Sequence, residues 1–376
     1  MKKILKAILL ALLFLAIFAV GAIMSFVLTF RVINSEWGIV LSVAEIVASL
    51  LLSNLLSIVV HESGHLVFGL TSGYSFSSFR IFSFMLLMQD GRLVFRRQNI
   101  AGTGGQCLMI PPEGDAKDIP VILYNLGGSI FNLLLALISV SLYFIWSDVY
   151  FLSVLLLLTS FISGLYAFIN GIPMNVSGMS NDGMNAVMLN GNEHARIAFL
   201  NQLKMCAAQA QGIRVSNMPD DWFELPDGAD MNNVHCATIA VFKAERYLDA
   251  KDLSLAERSI ESLLRSNYAI IGLHRNLLVC DLVFCRLINH EGNVDISNLL
   301  TLEQLKFMKN MGKFPSILRT QYCISLLRDK DENQAGKVKD VFEKQAKKYP
   351  FPAEIKGERE LMEFSFERYN ELKSKI

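Results

Sequence analysis

Residues 58–67 read Ile58-Val59-Val60-His61-Glu62-Ser63-Gly64-His65-Leu66-Val67. On a helix His61 and His65 stand four positions apart, so both imidazoles lie on one face and can bind one metal ion. Glu62 sits beside them, where a carboxylate can take a proton from water at that ion. The setting makes the stretch decisive. It lies near the end of an apolar run from about Trp37 to Leu70, long enough to cross a bilayer and protrude from it. Two histidines and a glutamate within five residues of an apolar helix are costly unless paired or metallated. The expectation is a Zn²⁺ site on a membrane helix.

Three further segments are long and apolar enough to span: about Ile4–Phe30, Ile119–Trp146 and Tyr150–Ile172. The first follows Lys2, Lys3 and Lys6 and exceeds the roughly 7–15 apolar residues of a signal peptide, so it reads as an uncleaved anchor. Those lysines place the N-terminus in the cytoplasm by the positive-inside rule. The 71–118 connection agrees, with Arg80, Arg92, Arg96, Arg97 and Lys117 against Arg31, Glu36 and Asp148 in the outer loops. Both termini and the histidine motif then face the cytoplasm of a multi-pass cell-membrane protein.

The composition splits along the chain. Of 376 residues, 52% are hydrophobic and 19% charged, with 35 basic and 35 acidic side chains. Zero net charge leaves no electrostatic footprint for nucleic acid, and the hydrophobicity excludes a disordered chain. Residues 1–183 hold nine basic and nine acidic side chains, while 184–376 hold 26 of each. Three parts follow: an anchor at 1–36, a membrane core at 37–183 and a cytoplasmic helical domain at 184–376. The six cysteines are scattered without a CxxC pair and read as free buried thiols.

Within the 71–118 connection, Ser75–Met88 and Leu93-Val94-Phe95 flank an Asp90-Gly91 turn and predict a β-hairpin at the inner membrane face. Gly102, Gly104, Gly105, Pro111 and Pro112 read as a turn-rich segment. The Gly102-Thr103-Gly104-Gly105 run is no phosphate loop, because no Lys-Ser/Thr pair follows.

Two histidines leave zinc one protein ligand short if water is to hold the fourth position. His194, His235, His274 and His290 all lie in the polar half. The best carboxylate near the cytoplasmic face is Asp182, which nearly closes the stretch 170–183 after the last span; the alternative is a plain Asp-Gly turn at the membrane exit. Asn132 lies inside a span, where an amide finds a partner. A cross-helix hydrogen bond and an active-site role are both open to it.

The 37–185 region resembles the site-2 protease family of intramembrane zinc metalloproteases. The resemblance rests on the H-E-x-x-H at 61–65, Gly127-Gly128-Ser129-Ile130-Phe131-Asn132 in the next span, and Asn170-x-x-Pro173 followed by Asp182-Gly183. It implies that His61, His65 and Asp182 hold zinc, that Glu62 is the general base, and that Asn170 contacts substrate. The chain departs from the family pattern in a longer spacer without a second proline, in Asn181 before Asp182, and in Gly-Gly where Gly-Pro is common.

From Met184 onward the pattern is helical: Thr238–Leu264, Ile270–Ile288, then about Leu302–Met311, Pro315–Leu327, Gly336–Tyr349 and Glu354–Lys373, with a loop at 216–233. Small residues against Tyr and Leu in paired helices resemble tetratricopeptide hairpins, although no 34-residue period repeats cleanly. The fold class is therefore mainly α, with about four membrane spans, a small membrane-associated β-hairpin and an all-α cytoplasmic domain that binds a protein partner. The expected function is zinc-dependent hydrolysis of peptide bonds in or next to a membrane span of a protein or peptide substrate. The alternative is a metal-retaining membrane scaffold or peptide-export component without proteolysis.

Overall fold

The computed structural model describes residues 2–34, 38–97, 103–176, 179–290 and 294–375. Glu36, Trp37, Gly102, Ser177 and Gly178, which enter the reading above, lie outside them. The chain forms two compact units, one of Met1–Phe68, Ile122–Val176 and Ser180–Val187, the other of Gly69–Val121, Ser177–Met179 and Met188–Ile376.

The first unit holds α1 (Lys2–Ile33), α2 (Ile39–Thr71), α3 (Ile122–Ile145) and α4 (Tyr150–Gly171), and reaches into α5 (Asp182–Leu189). Among the described residues three helices are long and apolar enough to cross a membrane: α2, α3 and α4. The described apolar part of α1, Ile17–Ile33, is shorter than a span, so a fourth crossing stands on sequence alone.

The long α2 is built inside out. Its apolar residues, Val40, Leu41, Val43, Val47 and Leu50–Leu52 among them, are exposed, whereas Ser42, Ser49, Ser53 and Ser57 are buried. From Ser49 the buried polar positions follow at steps of four, and His61 and His65 continue the row. In lipid the hydrophobic effect does not hold helices together; small residues and interhelical hydrogen bonds do. Accordingly, Ser53 shares a 2.8 Å hydrogen bond with Thr159 of α4, and Tyr166 donates to Asn54 at 3.1 Å. Between α3 and α4, Ser160 donates to the Ala136 carbonyl and Ser163 to that of Asn132, each at 3.0 Å.

The second unit contains a four-stranded antiparallel sheet ordered β3-β2-β1-β4, from β1 (Ser75–Ile81), β2 (Phe84–Gln89), β3 (Arg92–Arg97) and β4 (Gly105–Ile110). The Asp90-Gly91 turn is there, both residues at positive φ as a two-residue hairpin loop requires. The segment 102–112 was expected to be turns, and the described part contains β4 instead. Ser75 of β1 pairs with Ile110 and Ile81 with Gly105, and Cys107 and Met109 are buried. Sheet and helical half share one unit, rather than dividing at Gly183, because the sheet's inner Met85 and Leu87 pack with Ala210 of α6 (Glu193–Ala210) and with Phe351. Phe84, Leu86, Leu93 and Phe95 are exposed.

The continuous pattern at 238–264 is two helices, α7 (Val234–Asp249) and α8 (Leu253–Arg265). The chain reverses at Lys251, whose φ is 64°, and Asp252 caps α8 by accepting from the Leu255 amide. Then come α9 (Gly272–Asn289), α10 (Leu302–Asn310), α11 (Pro315–Cys323, extended by a π turn to Arg328), α12 (Glu332–Ala346) and α13 (Pro352–Ser374). The 216–233 segment contains short 3₁₀ turns at Val215–Asn217 and Asp220–Phe223. All six cysteines are free. Arg319 is fully buried, paired with Asp281 and with Glu358 at 3.3 Å, its guanidinium over the Phe284 ring. Glu245, Asp281, Glu354 and Glu358 line a neighbouring cavity of about 250 Å³.

Candidate metal centre

His61 and His65, in the last third of α2, meet Asp182 at the start of α5. The Asp182 Oδ2 lies 3.1 Å from His61 Nε2 and 3.4 Å from His65 Nε2, and the two Nε2 atoms are 3.3 Å apart. Zinc bonds of about 2.0–2.1 Å in a tetrahedron set donor–donor edges of about 3.3–3.4 Å. The triangle has the size of one face of such a tetrahedron.

Hydrogen bonding supports the same fit. His65 Nδ1 lies 2.8 Å from the Tyr124 carbonyl, which only accepts, so the neutral ring carries its proton on Nδ1 and a lone pair on Nε2. Asp182 Oδ2 is buried and makes no hydrogen bond of acceptable geometry. A carboxylate oxygen and imidazole lone pairs converging in a buried pocket repel one another unless a proton or a metal ion lies between them. Among the described residues these three form the one group of His, Cys, Asp and Glu side chains placed to hold a metal.

Close backbone approach makes the room. A Cβ on Gly64, inside the motif itself, would stand 2.2 Å from the Gly127 carbonyl oxygen, so α2 and α3 touch here through bare backbone. A Cβ on Gly128 would come within 2.6 Å of both histidine Nε2 atoms. The space beside the donors exists because position 128 has no side chain.

Asn181 fixes the register of the third donor. Its Oδ1 accepts from the Met184 amide at 2.9 Å, capping α5, and from the Met174 amide at 3.1 Å. Its Nδ2 donates to the carbonyls of Ile169 and Ile172 at 2.5 and 2.6 Å, tying that cap to the end of α4. Asn181, the residue just before the Asp-Gly pair, thus sets Asp182 in place. A Cβ on Gly183 would meet the Gly171 carbonyl oxygen at 2.2 Å, so the same junction also requires the glycine of the Asp-Gly pair.

Glu62 is 7% exposed, as buried as His61. Asn132 is fully buried with its amide 3.2 Å from His61 Nδ1, a cross-helix contact that reaches a metal-site residue directly. Asn170 is outside the His–His–Asp group, and its amide donates to the Tyr166 carbonyl on its own helix at 3.1 Å. The Tyr124 carbonyl and Ser163 escaped the sequence reading; a serine within an apolar span was the available signal for Ser163. Elsewhere, His235 and His274 are held neutral by burial, which pushes each down to about 4, and His290 pairs with Glu257 at 2.8 Å.

Compared with known proteins, the chain matches no family model, no curated protein and no solved structure.

Proposed function

We propose that this chain is an intramembrane zinc peptidase of the site-2 protease type, hydrolysing peptide bonds in or next to membrane spans of protein or peptide substrates. The observation that carries this reading is the His61–His65–Asp182 triangle, whose edges suit one face of a zinc tetrahedron and leave a fourth position. Zinc held there supplies a Lewis acid that acidifies water and draws charge from a scissile carbonyl.

The chain's own residues do the rest. Glu62 takes the proton of the attacking water and returns it to the departing amine, which balances the hydrolysis. His61, His65 and Asp182 would hold the metal, from α2 and α5. A substrate helix shields its own carbonyls by hydrogen bonding, so the segment to be cut has to unwind before it reaches the site.

The apolar, exposed Phe84, Leu86, Leu93 and Phe95, together with Arg92, Arg96 and Arg97 on the same two strands, support a membrane-lying sheet. A fourth span through α1, a cytoplasmic orientation of the site and a tetratricopeptide-like partner-binding role for α7–α13 complete the proposal. They rest on the lysine-rich start and on the paired helices.

The test uses the full chain in nanodiscs with a panel of single-span fusion proteins. Wild type is expected to cleave, to stop on chelation and to recover with Zn²⁺; Glu62→Gln is expected to bind zinc equally and cut nothing. An active Glu62→Gln protein removes the assigned base. A wild type that holds zinc yet cuts no substrate in the panel favours the metal-retaining scaffold.

A further inference from the structure

An imidazole that ligates metal through Nε2 keeps its proton on Nδ1, and that proton needs an acceptor. For His65 the acceptor is the Tyr124 carbonyl. For His61 the partner at Nδ1 is the Asn132 amide, 3.2 Å away on α3. An amide presents either oxygen or NH₂, and the surrounding network decides which. Ser163 on α4 makes that decision. It is fully buried, its hydroxyl lying 3.0 Å from the Asn132 backbone oxygen and 3.2 Å from Asn132 Oδ1.

A serine hydroxyl has one proton and two lone pairs. When it donates to the Asn132 carbonyl, it is free to accept from the side-chain NH₂, which turns Oδ1 toward His61. Every polar hydrogen in the trio then has an acceptor. As the structure stands, Asn132 Nδ2 faces His61 Nδ1 and Oδ1 faces Ser163, an arrangement that leaves the imidazole proton on Nε2, where the metal bond has to form; metal binding therefore calls for a half-turn of the amide.

We propose that Asn132, its amide turned by half a rotation and then held by Ser163, is the positioning residue that keeps metal-bound His61 in the Nδ1-protonated tautomer and so readies its Nε2 for metal. This rests on the metal reading of His61, His65 and Asp182. It makes α3 and α4, which supply no metal-ligating side chain, part of the metal site.

The test is Zn²⁺ affinity of the full chain in detergent, by competition with a chromophoric chelator, alongside ¹⁵N imidazole signals that report the tautomer. Asn132→Leu keeps the volume without the acceptor and is expected to weaken Zn²⁺ by about 10–100-fold. Asn132→Asp retains an acceptor and is expected to bind Zn²⁺ within about threefold of wild type, with His61 still protonated on Nδ1. Ser163→Ala is expected to fall between the two.

A purely structural cross-helix bond predicts the reverse order for the two Asn132 variants, because a buried carboxylate disrupts helix packing more than leucine does. Asn132→Leu with wild-type affinity, or Asn132→Asp tenfold weaker than wild type, overturns the assignment. Should Asn132→Leu fail to fold, Asn132→Asp decides by the same criterion. Wild type that binds no Zn²⁺ refutes the metal reading itself, which separates that failure from this one.

Discussion

Gly64→Ala adds one methyl group where two helices meet through bare backbone. The new Cβ would lie 2.2 Å from the Gly127 carbonyl oxygen and 2.9 Å from the Gly128 nitrogen, whereas ordinary contact begins at 3.4 Å. Backbone cannot swing aside as a side chain does, so α2 and α3 must separate by about 1 Å. The His65 Nδ1 to Tyr124 carbonyl distance of 2.8 Å would then open to about 3.8 Å, beyond hydrogen-bonding range. Losing such an outer partner of a metal ligand costs about 10–100-fold in affinity, or ~1.4–2.7 kcal/mol. The gap also forfeits a quarter to a half of the dispersion attraction along the seam, so the melting temperature should fall as well. Ser63→Ala is the control, because the Ser63 hydroxyl donates to the Val59 carbonyl on its own helix. The assay is Zn²⁺ competition on the purified full chain, with thermal melts. A Gly64→Ala protein binding Zn²⁺ within twofold of wild type would refute the contact between α2 and α3 as the support of the site.

The remaining predictions concern the helical half. Burial, with Asp281, Glu354 and Glu358 adding to it, pushes the Glu245 carboxyl up to about 8, and burial takes Glu354 and Glu358 up to about 7. The folded state therefore holds protons that the unfolded chain has released. Stability should be greatest below pH 4.5 as far as these groups decide it, and decline as pH rises through 7–8. The slope is at most ~1.4 kcal/mol per pH unit for each proton held. Protection factors in α7 and α13, with the intrinsic pH dependence of amide exchange divided out, should fall accordingly, and Glu245→Gln should flatten the trend; unchanged protection from pH 5 to 8 would count against buried carboxyls there. At pH 8, where Glu358 is ionised, Arg319→Leu strands Asp281 and Glu358 without their cation and should cost about 3–5 kcal/mol in a denaturant melt. A loss under 1 kcal/mol would show that those carboxylates are solvated.

Much of this architecture could be read from residue order because lipid imposes a simple rule. Segments such as 39–71 carry so little charge over so many apolar residues that they are long and apolar enough to cross a membrane, and a histidine pair at helical spacing inside one is conspicuous. The third donor was harder. Asp182 takes its position from Asn181, whose side chain binds backbone groups up to 12 residues away, and a spacer count cannot weigh such bonds. Strand β4 was hidden because Gly104, Gly105, Pro111 and Pro112 bracket only five residues, 106–110, and punctuation outweighed alternation. The α7–α8 break carries neither glycine nor proline; Asp252 as a helix cap was its one local mark. That Gly69–Val121 groups with the helical half is a tertiary fact, made by Met85 and Leu87 on Ala210. At Asn170 the motif position was legible, whereas the hydrogen bond of its amide to the Tyr166 carbonyl was not.

The donors' places along the chain also order events during synthesis. His61 and His65 enter the membrane with α2, but Asp182 follows roughly 120 residues later, after α3 and α4 have been made. At about 5–20 residues per second that interval lasts ~6–24 s. Throughout it the nascent chain carries two imidazoles and the row of serines without their final neighbours. Closure of the α3–α4 hairpin and formation of the Asn181 cap are thus the steps that complete the donor set. A ribosome stalled before residue 182 would hold an intermediate with only two of the three candidate donors, open to chaperone or protease surveillance.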